Sequence, residues 1–212
     1  MIILAIDTCL FACSVAVVDG DAVLARRVEP MSRGHQERLA PLVQEAMAEA
    51  GIGFDKLERI GVTVGPGSFT GLRVGLAFAK GLAAALSIPA IGVGSLEALA
   101  EPEPGSVLAV LDAKRGQIYL QAFADGGAVS APDALPIEIA AARLAEFAPD
   151  TLIGTGAELL AQMAPGVRVV LADATDPVAV ARLAAARAPV PPRPLYLRAP
   201  DAKLPGGKTL EP

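Results

Sequence analysis

The order of apolar and polar positions divides the chain into short pieces. Ile2 to Asp7 is an apolar run ending at a carboxylate, Ser14 to Val18 is a second, and the turn Asp19-Gly20-Asp21 leads into a third, Ala22 to Glu29. Three such runs separated by turns predict a meander of three strands. The period then changes. Leu39, Leu42, Val43, Ala46, Met47 and Ala50 recur at steps of three and four, with Gln44, Glu45 and Glu49 opposite, which predicts an amphipathic helix ending at Gly51 or Gly53. Pro41 marks its first turn or bends it there.

Arg59 to Val64 closes on the β-branched run Val62-Thr63-Val64 and reads as a strand, while the Ala- and Leu-rich residues Thr70 to Leu86 read as a second helix. Between them, and running into that helix, lies Gly65-Pro66-Gly67-Ser68-Phe69-Thr70-Gly71-Leu72-Arg73-Val74-Gly75. Gly65 and Gly67 open backbone angles closed to other residues, and Pro66 stiffens the turn between them. Ser68 or Thr70 can cap the helix. A helix start also favours negative charge, so Ser68 and Thr70, with Asp7 and Thr8 at the end of the first strand, are the candidate anion-binding residues. A tight turn with a cap explains the same residues, and no Gly-Lys-Ser/Thr follows to make a Walker loop.

The second helix carries only two charges, Arg73 and Lys80, on one narrow stripe. A helix on one side of a sheet buries about half of its circumference, so this apolar excess calls for a second cover. That cover is either a neighbouring helix of the same chain or another domain or chain. Gly71, Gly75, Ala79 and Ala83, at steps of four, form a ridge without bulk on which a partner helix can approach closely.

Ile88 to Val93 is a further strand, and Glu101-Pro102-Glu103-Pro104-Gly105 is a stiff polar linker. Beyond it, strands at Val107–Leu111 and Ile118–Phe123 are joined through Asp112 to Gln117. Helices near 137–147, 156–163 and 177–188 alternate with strands near 151–154 and 167–171. This predicts an α/β protein with mixed sheets flanked by helices: a first lobe over 1–100, a smaller lobe over 106–188 and a Pro-rich basic tail over 189–212.

Composition narrows the function. The 212 residues are 53% hydrophobic but only 4% aromatic, so the core is built from aliphatic side chains. A net charge of −5 argues against a stand-alone nucleic-acid binder that works by phosphate neutralisation. The first twenty residues contain Asp7 and no basic leader, and Lys80 and Pro89 interrupt the other long apolar region, so the expectation is a cytoplasmic protein with no membrane span. Cys9 and Cys13 read as buried thiols. With one histidine, His35, and two cysteines, no metal site and no cofactor are expected. Ser68 lacks the setting of a hydrolase nucleophile. Asp7 and Asp112, at corresponding strand ends of the two lobes, could bind a metal-nucleotide between them, but carboxylates at strand ends are commonly turn formers, and that reading is preferred.

Asp7-Thr8, Gly34 to Leu42, the glycine stretch and Pro89 to Val93 together resemble the bacterial TsaB family. Asp112 to Tyr119, Gly154 to Ala157 and Pro194 to Arg198 extend the likeness. The resemblance implies a two-lobed fold like that of actin, Hsp70 and sugar kinases. It further implies a non-catalytic assembly subunit of the complex that makes N6-threonylcarbamoyladenosine in tRNA. The implied partners are a TsaD-like catalytic subunit, a TsaE-like ATPase, tRNA through the complex and, for the isolated chain, a second copy. Where TsaD carries a His-x3-His metal pair, Ser95 and Leu99 stand here, with Glu97 between them. Family pairing through the two first-lobe helices makes Leu42, Gly71, Leu72, Arg73, Gly75, Leu76, Ala79 and Ala83 the expected interface. The competing readings are a small two-lobed ATPase or kinase and a glycoprotease-like metallopeptidase.

Overall fold

In the computed structural model, which describes residues 1–198, two sheets stand side by side, each covered by helices on both faces. The first has the order β3-β2-β1-β4-β5, from β1 (Ile2–Asp7), β2 (Ala12–Asp19), β3 (Ala22–Pro30), β4 (Arg59–Thr63) and β5 (Ala90–Val93). The opening meander is antiparallel, with Asp7 opposite Ser14, and β4 and β5 add on in parallel. Alternation decides the layers. Leu4 and Ile6 face α1 (His35–Ala50) and α2 (Phe69–Leu86), while Ile3 and Ala5 face the opposite helix, α6 (Pro177–Ala186). Buried on both faces, β1 is apolar along almost its whole length.

The second sheet has the order β11-β10-β6-β7-β8, built from β6 (Ser106–Lys114), β7 (Gln117–Ala124), β8 (Gly127–Ala128), β10 (Thr151–Ile153) and β11 (Arg168–Val170), with β9 (Asp133–Pro136) also paired to β7. α4 (Ile137–Phe147) and α5 (Ala157–Ala161) cover one face. The other face meets α3 (Ser95–Ala100) and Leu10, which reaches across from the loop after β1. At six residues, α3 is too short for apolar periodicity to reveal.

Two boundaries differ from expectation. The second lobe was expected to run to residue 188, but α6 packs back onto β1, β2, β4 and β5 of the first sheet. Arg59 holds it there, its Nη1 donating to the carbonyls of Ala184 at 2.6 Å and Arg187 at 2.8 Å. The pattern from 177 to 188 marks a helix but not the sheet it covers. The connection from Asp112 to Gln117 is a hairpin in which the strands continue to Lys114 and resume at Gln117, with a bulge in the register beside Asp112. The expected tail is described only as far as Arg198, so its residues 199–212 lie outside the described structure.

Candidate functional site

The glycine stretch packs against the loop leaving β1. The Ser68 amide donates to the Cys9 carbonyl at 2.7 Å, and the Ser68 hydroxyl accepts from the Gly71 amide at 3.3 Å, which caps α2. Thr8 Oγ1 donates to the Gly71 carbonyl at 2.7 Å. A methyl group at Gly67 would strike the Cys9 carbonyl, and one at Gly71 the Thr8 carbonyl. The glycines are therefore required for close approach of the chain to itself.

Asp7 is fully buried, and its carboxylate serves the same junction. Oδ1 accepts from the Cys9 amide at 2.8 Å and from Thr63 Oγ1 at 2.5 Å, and Oδ2 accepts from Thr175 Oγ1 at 2.7 Å. Thr8 is likewise buried. Of the four candidate anion-binding residues, Asp7 and Thr8 thus turn inward and Ser68 serves as the cap; Thr70 is exposed. Fully buried, with both oxygens engaged by Cys9, Thr63 and Thr175, Asp7 is not presented to a metal or a nucleotide. Asp112, in the matching place of the second lobe, is partly exposed and held by Lys114, whose amide and Nζ donate at 2.8 and 2.6 Å. Burial pushes its carboxyl up, but the Lys114 contacts outweigh this and hold it below the usual range.

The expected interface residues need the clearest correction. Leu42, Gly71, Leu72, Gly75, Leu76, Ala79 and Ala83 are all buried within this chain, and only Arg73 is exposed. The small-residue ridge faces β1, β4 and the loop after β1 rather than a partner. The outward side of α2 carries Ala77, Lys80, Gly81, Ala84 and Ala85 with Arg73. Arg73 sits over the Phe69 ring at 3.6 Å and donates from Nε to the Tyr196 hydroxyl at 3.2 Å.

Between the lobes lies a cleft of about 540 Å³. Its walls come from the loops after β1 and before α2, the end of β6 and the segment from Leu195 to Arg198. That segment spans the lobes: the Leu195 amide donates to the Val64 carbonyl at 2.8 Å, and Arg198 Nη1 to the Ala113 carbonyl at 2.9 Å. Phe11 lines the cleft without standing out in the sequence, whereas Tyr119 and Thr155, which also line it, fall in stretches that carry the family likeness. Cys9 borders it, yet burial, with the Asp7 charge adding to it, pushes its thiol up to about 12, and burial does the same for Cys13. Neither supplies a thiolate nucleophile at neutral pH. His35 is buried, with Nε2 unbonded, at the start of α1. Ser95 and Leu99 are buried on α3, and no group of three metal-ligating side chains occurs among the described residues.

A family model described as "TsaD: tRNA N6-adenosine threonylcarbamoyltransferase" matches residues 28–153. An uncharacterized protein of Mycobacterium tuberculosis H37Rv is 37% identical over 204 residues, covering 95% of this chain and 93% of that one. The YeaZ protein of Pseudomonas aeruginosa superposes with a TM-score of 0.76 at 30% identity, covering 92% of this chain and 99% of that one. The Escherichia coli protein named for tRNA threonylcarbamoyladenosine biosynthesis, TsaB, is 39% identical over 124 residues. This chain belongs to the TsaB (YeaZ) family. The match to Escherichia coli TsaB spans 56% of this chain and about half, 53%, of that protein. A ROK hexokinase from Thermus thermophilus, at 15% identity and a TM-score of 0.53, shares the fold alone, which agrees with the expected sugar-kinase-like architecture.

Proposed function

We propose that this protein is the non-catalytic assembly subunit of the tRNA threonylcarbamoyladenosine machinery, presenting the outward face of α2 to a TsaD-type catalytic partner. The observation that carries this reading is the helix itself. α2 is apolar enough in composition to span a membrane, yet only a third of it is buried, and its outward side is Ala77, Gly81, Ala84 and Ala85 with the cations Arg73 and Lys80. Its inner side is locked onto β4 and the loop after β1, so the free flank suits a protein partner rather than a bilayer. A small-residue flank admits close approach of another helix. α1 lies beside α2 and extends this surface.

The lack of a catalytic role rests on the end of β1 and the glycine turn, where the Asp7 oxygens and the Ser68 amide are all engaged within the chain. An ATPase or kinase needs those groups turned toward phosphate and metal. The TsaE-type ATPase and a second copy of this chain are the further partners of this reading, and the cytoplasm is its setting.

Reconstitution with the catalytic and ATPase subunits tests it. Modification of tRNA is expected to require this chain, and Ala77→Asp or Ala84→Asp is expected to abolish co-purification with the catalytic subunit while the far-ultraviolet circular dichroism stays unchanged. Full modification without the chain, or association retained in both variants, overturns the proposal.

A further inference from the structure

The polypeptide passes between the two sheets twice, through α3 and the linker Glu101 to Gly105, and again from β11 back to α6. A further connection is not covalent. Arg187 fixes the start of the segment after α6, its Nη1 donating to the Gly92 carbonyl at 2.7 Å and its Nη2 to Glu97 at 2.5 Å. Pro189, Pro191, Pro192 and Pro194 then make a stiff arm, because each fixes its own backbone angle and restricts the residue before it. The first lobe is shaped to receive this arm: a side chain at Gly92 would press on Pro192, and one at Gly65 on the Leu195 carbonyl.

The end of the arm touches three places. Leu195 donates its amide to Val64 in the first lobe, and Arg198 donates to the Ala113 carbonyl in the second. Between them Tyr196 stands 5.7 Å from Phe69, ring centre to ring centre, and its hydroxyl accepts from Arg73 Nε at 3.2 Å. Leu195, Tyr196, Leu197 and Arg198 all line the interlobe cleft, so the segment forms part of its wall. Phe69, Arg73 and Ala77 are exposed and recur at steps of four on α2, which puts the Tyr196 contact in line with the outward side of that helix. Both rings remain about half exposed, Phe69 at 46% and Tyr196 at 48%. A partner seated on the outward side of α2 covers Arg73, and the drier surroundings strengthen the Arg73–Tyr196 hydrogen bond.

We infer that Leu195 to Arg198 is a latch across the interlobe cleft, fastened to the second lobe by Arg198 and to α2 by Tyr196, and that a partner seated on the outward side of α2 tightens it. The inference rests on the assembly reading only for the identity of that partner. Arg73 is the positioning residue of the device, since it acts on the lobes through Tyr196. The latch itself is a few hydrogen bonds and one ring contact, which open and remake without unfolding either lobe.

Pulsed electron paramagnetic resonance between nitroxide labels at Asp21→Cys on the first lobe and Glu158→Cys on the second reads the latch in the full chain. Both sites are exposed, whereas Cys9 and Cys13 are buried and stay unlabelled. One narrow distance distribution is expected for the chain with the latch intact and a broader one for Arg198→Ala and Tyr196→Ala. Arg193→Ala, exposed on the arm, is expected to leave it narrow, and thermal melts show that the variants fold. Because coupling is reciprocal, Arg198→Ala, which lies off α2, is expected to weaken association with the catalytic subunit about fivefold or more. Tyr196→Ala and Arg198→Ala together are expected to weaken it no further than the stronger of the two alone, since both open one latch. Folded variants with distributions as narrow as the intact latch gives overturn the inference. So does full association of Arg198→Ala, or a double variant that loses the sum of the two effects, which marks two direct contacts instead. If the labels report the latch and the unaltered chain does not associate with the catalytic subunit, the assembly reading fails while the latch stands.

Discussion

α1 and α2 lie side by side on the same face of the first sheet, yet they meet it differently. α1 buries bulk, Leu39, Leu42, Val43 and Met47, and shows solvent Gln36, Glu37, Gln44 and Glu49. α2 buries Gly71, Gly75, Ala79 and Ala83 beside Leu72 and Leu76, and its outward side, Arg73 and Lys80 apart, is again small and apolar. The difference shows what amphipathicity conveys. Polar residues on α1 mark its outside, so its orientation is plain. On α2 both flanks are small and apolar, and the ridge that looks ready for a partner helix is the side that lies against the chain's own β1 loop. Close packing inward and close packing outward require the same residue types.

Substitutions on the two flanks of α2 test this contrast. The largest effect is expected from Ala79→Asp, which places an unpaired charge in the core and should cost about 3–5 kcal/mol, read as a lower midpoint in denaturant. Gly71→Ala comes next: its added methyl meets the Thr8 carbonyl, and overpacking of this kind costs about 1–3 kcal/mol. Ala77→Asp, two residues from Ala79 but exposed, should cost no more than about 0.7 kcal/mol, in line with helix propensity alone. If Ala77→Asp destabilised the fold as much as Ala79→Asp does, the assignment of inner and outer sides would be wrong.

The smallest effect belongs to α1. Arg38 donates to Glu29 on β3 at 2.6 Å and to Glu45, two helical turns along, at 2.7 Å. These hydrogen bonds hold both glutamates below the usual carboxylate range. Because the folded-state values are depressed, the associated stability is present above the unfolded value of about 4.3 and lost as pH falls through the lower folded values. Thermal melts of the unaltered chain and Arg38→Ala are expected to differ at neutral pH and to converge in acid. The pairs are substantially exposed, so the difference is modest and shrinks with salt. A constant difference across that range would show that Arg38 acts through packing rather than charge.

Much of the architecture was legible beforehand. β1, α1 and α4 fall where their patterns put them, and Gly51, with φ 68°, ends α1 as a left-handed C-cap. Ser68 caps α2, one of the two choices open from the sequence. The candidate anion site was less legible. Asp7 at a strand end before a glycine turn looks alike whether its oxygens face a ligand or face Thr63 and Thr175. Thr175 lies 168 residues away along the chain, and no local pattern announces such a partner. The return of α6 to the first sheet was hidden for the same reason.

By itself the sequence determined the elements, the aliphatic core and the family, since these follow from periodicity, turn chemistry and motifs read over short stretches. Only the tertiary structure decided which side of α2 is outside, that Asp7 and Thr8 turn inward, and that half of the chain's rings line the cleft between the lobes. Those are matters of direction and long-range meeting. A residue's type and spacing specify that it will be buried or bonded, but not by which distant part of the chain.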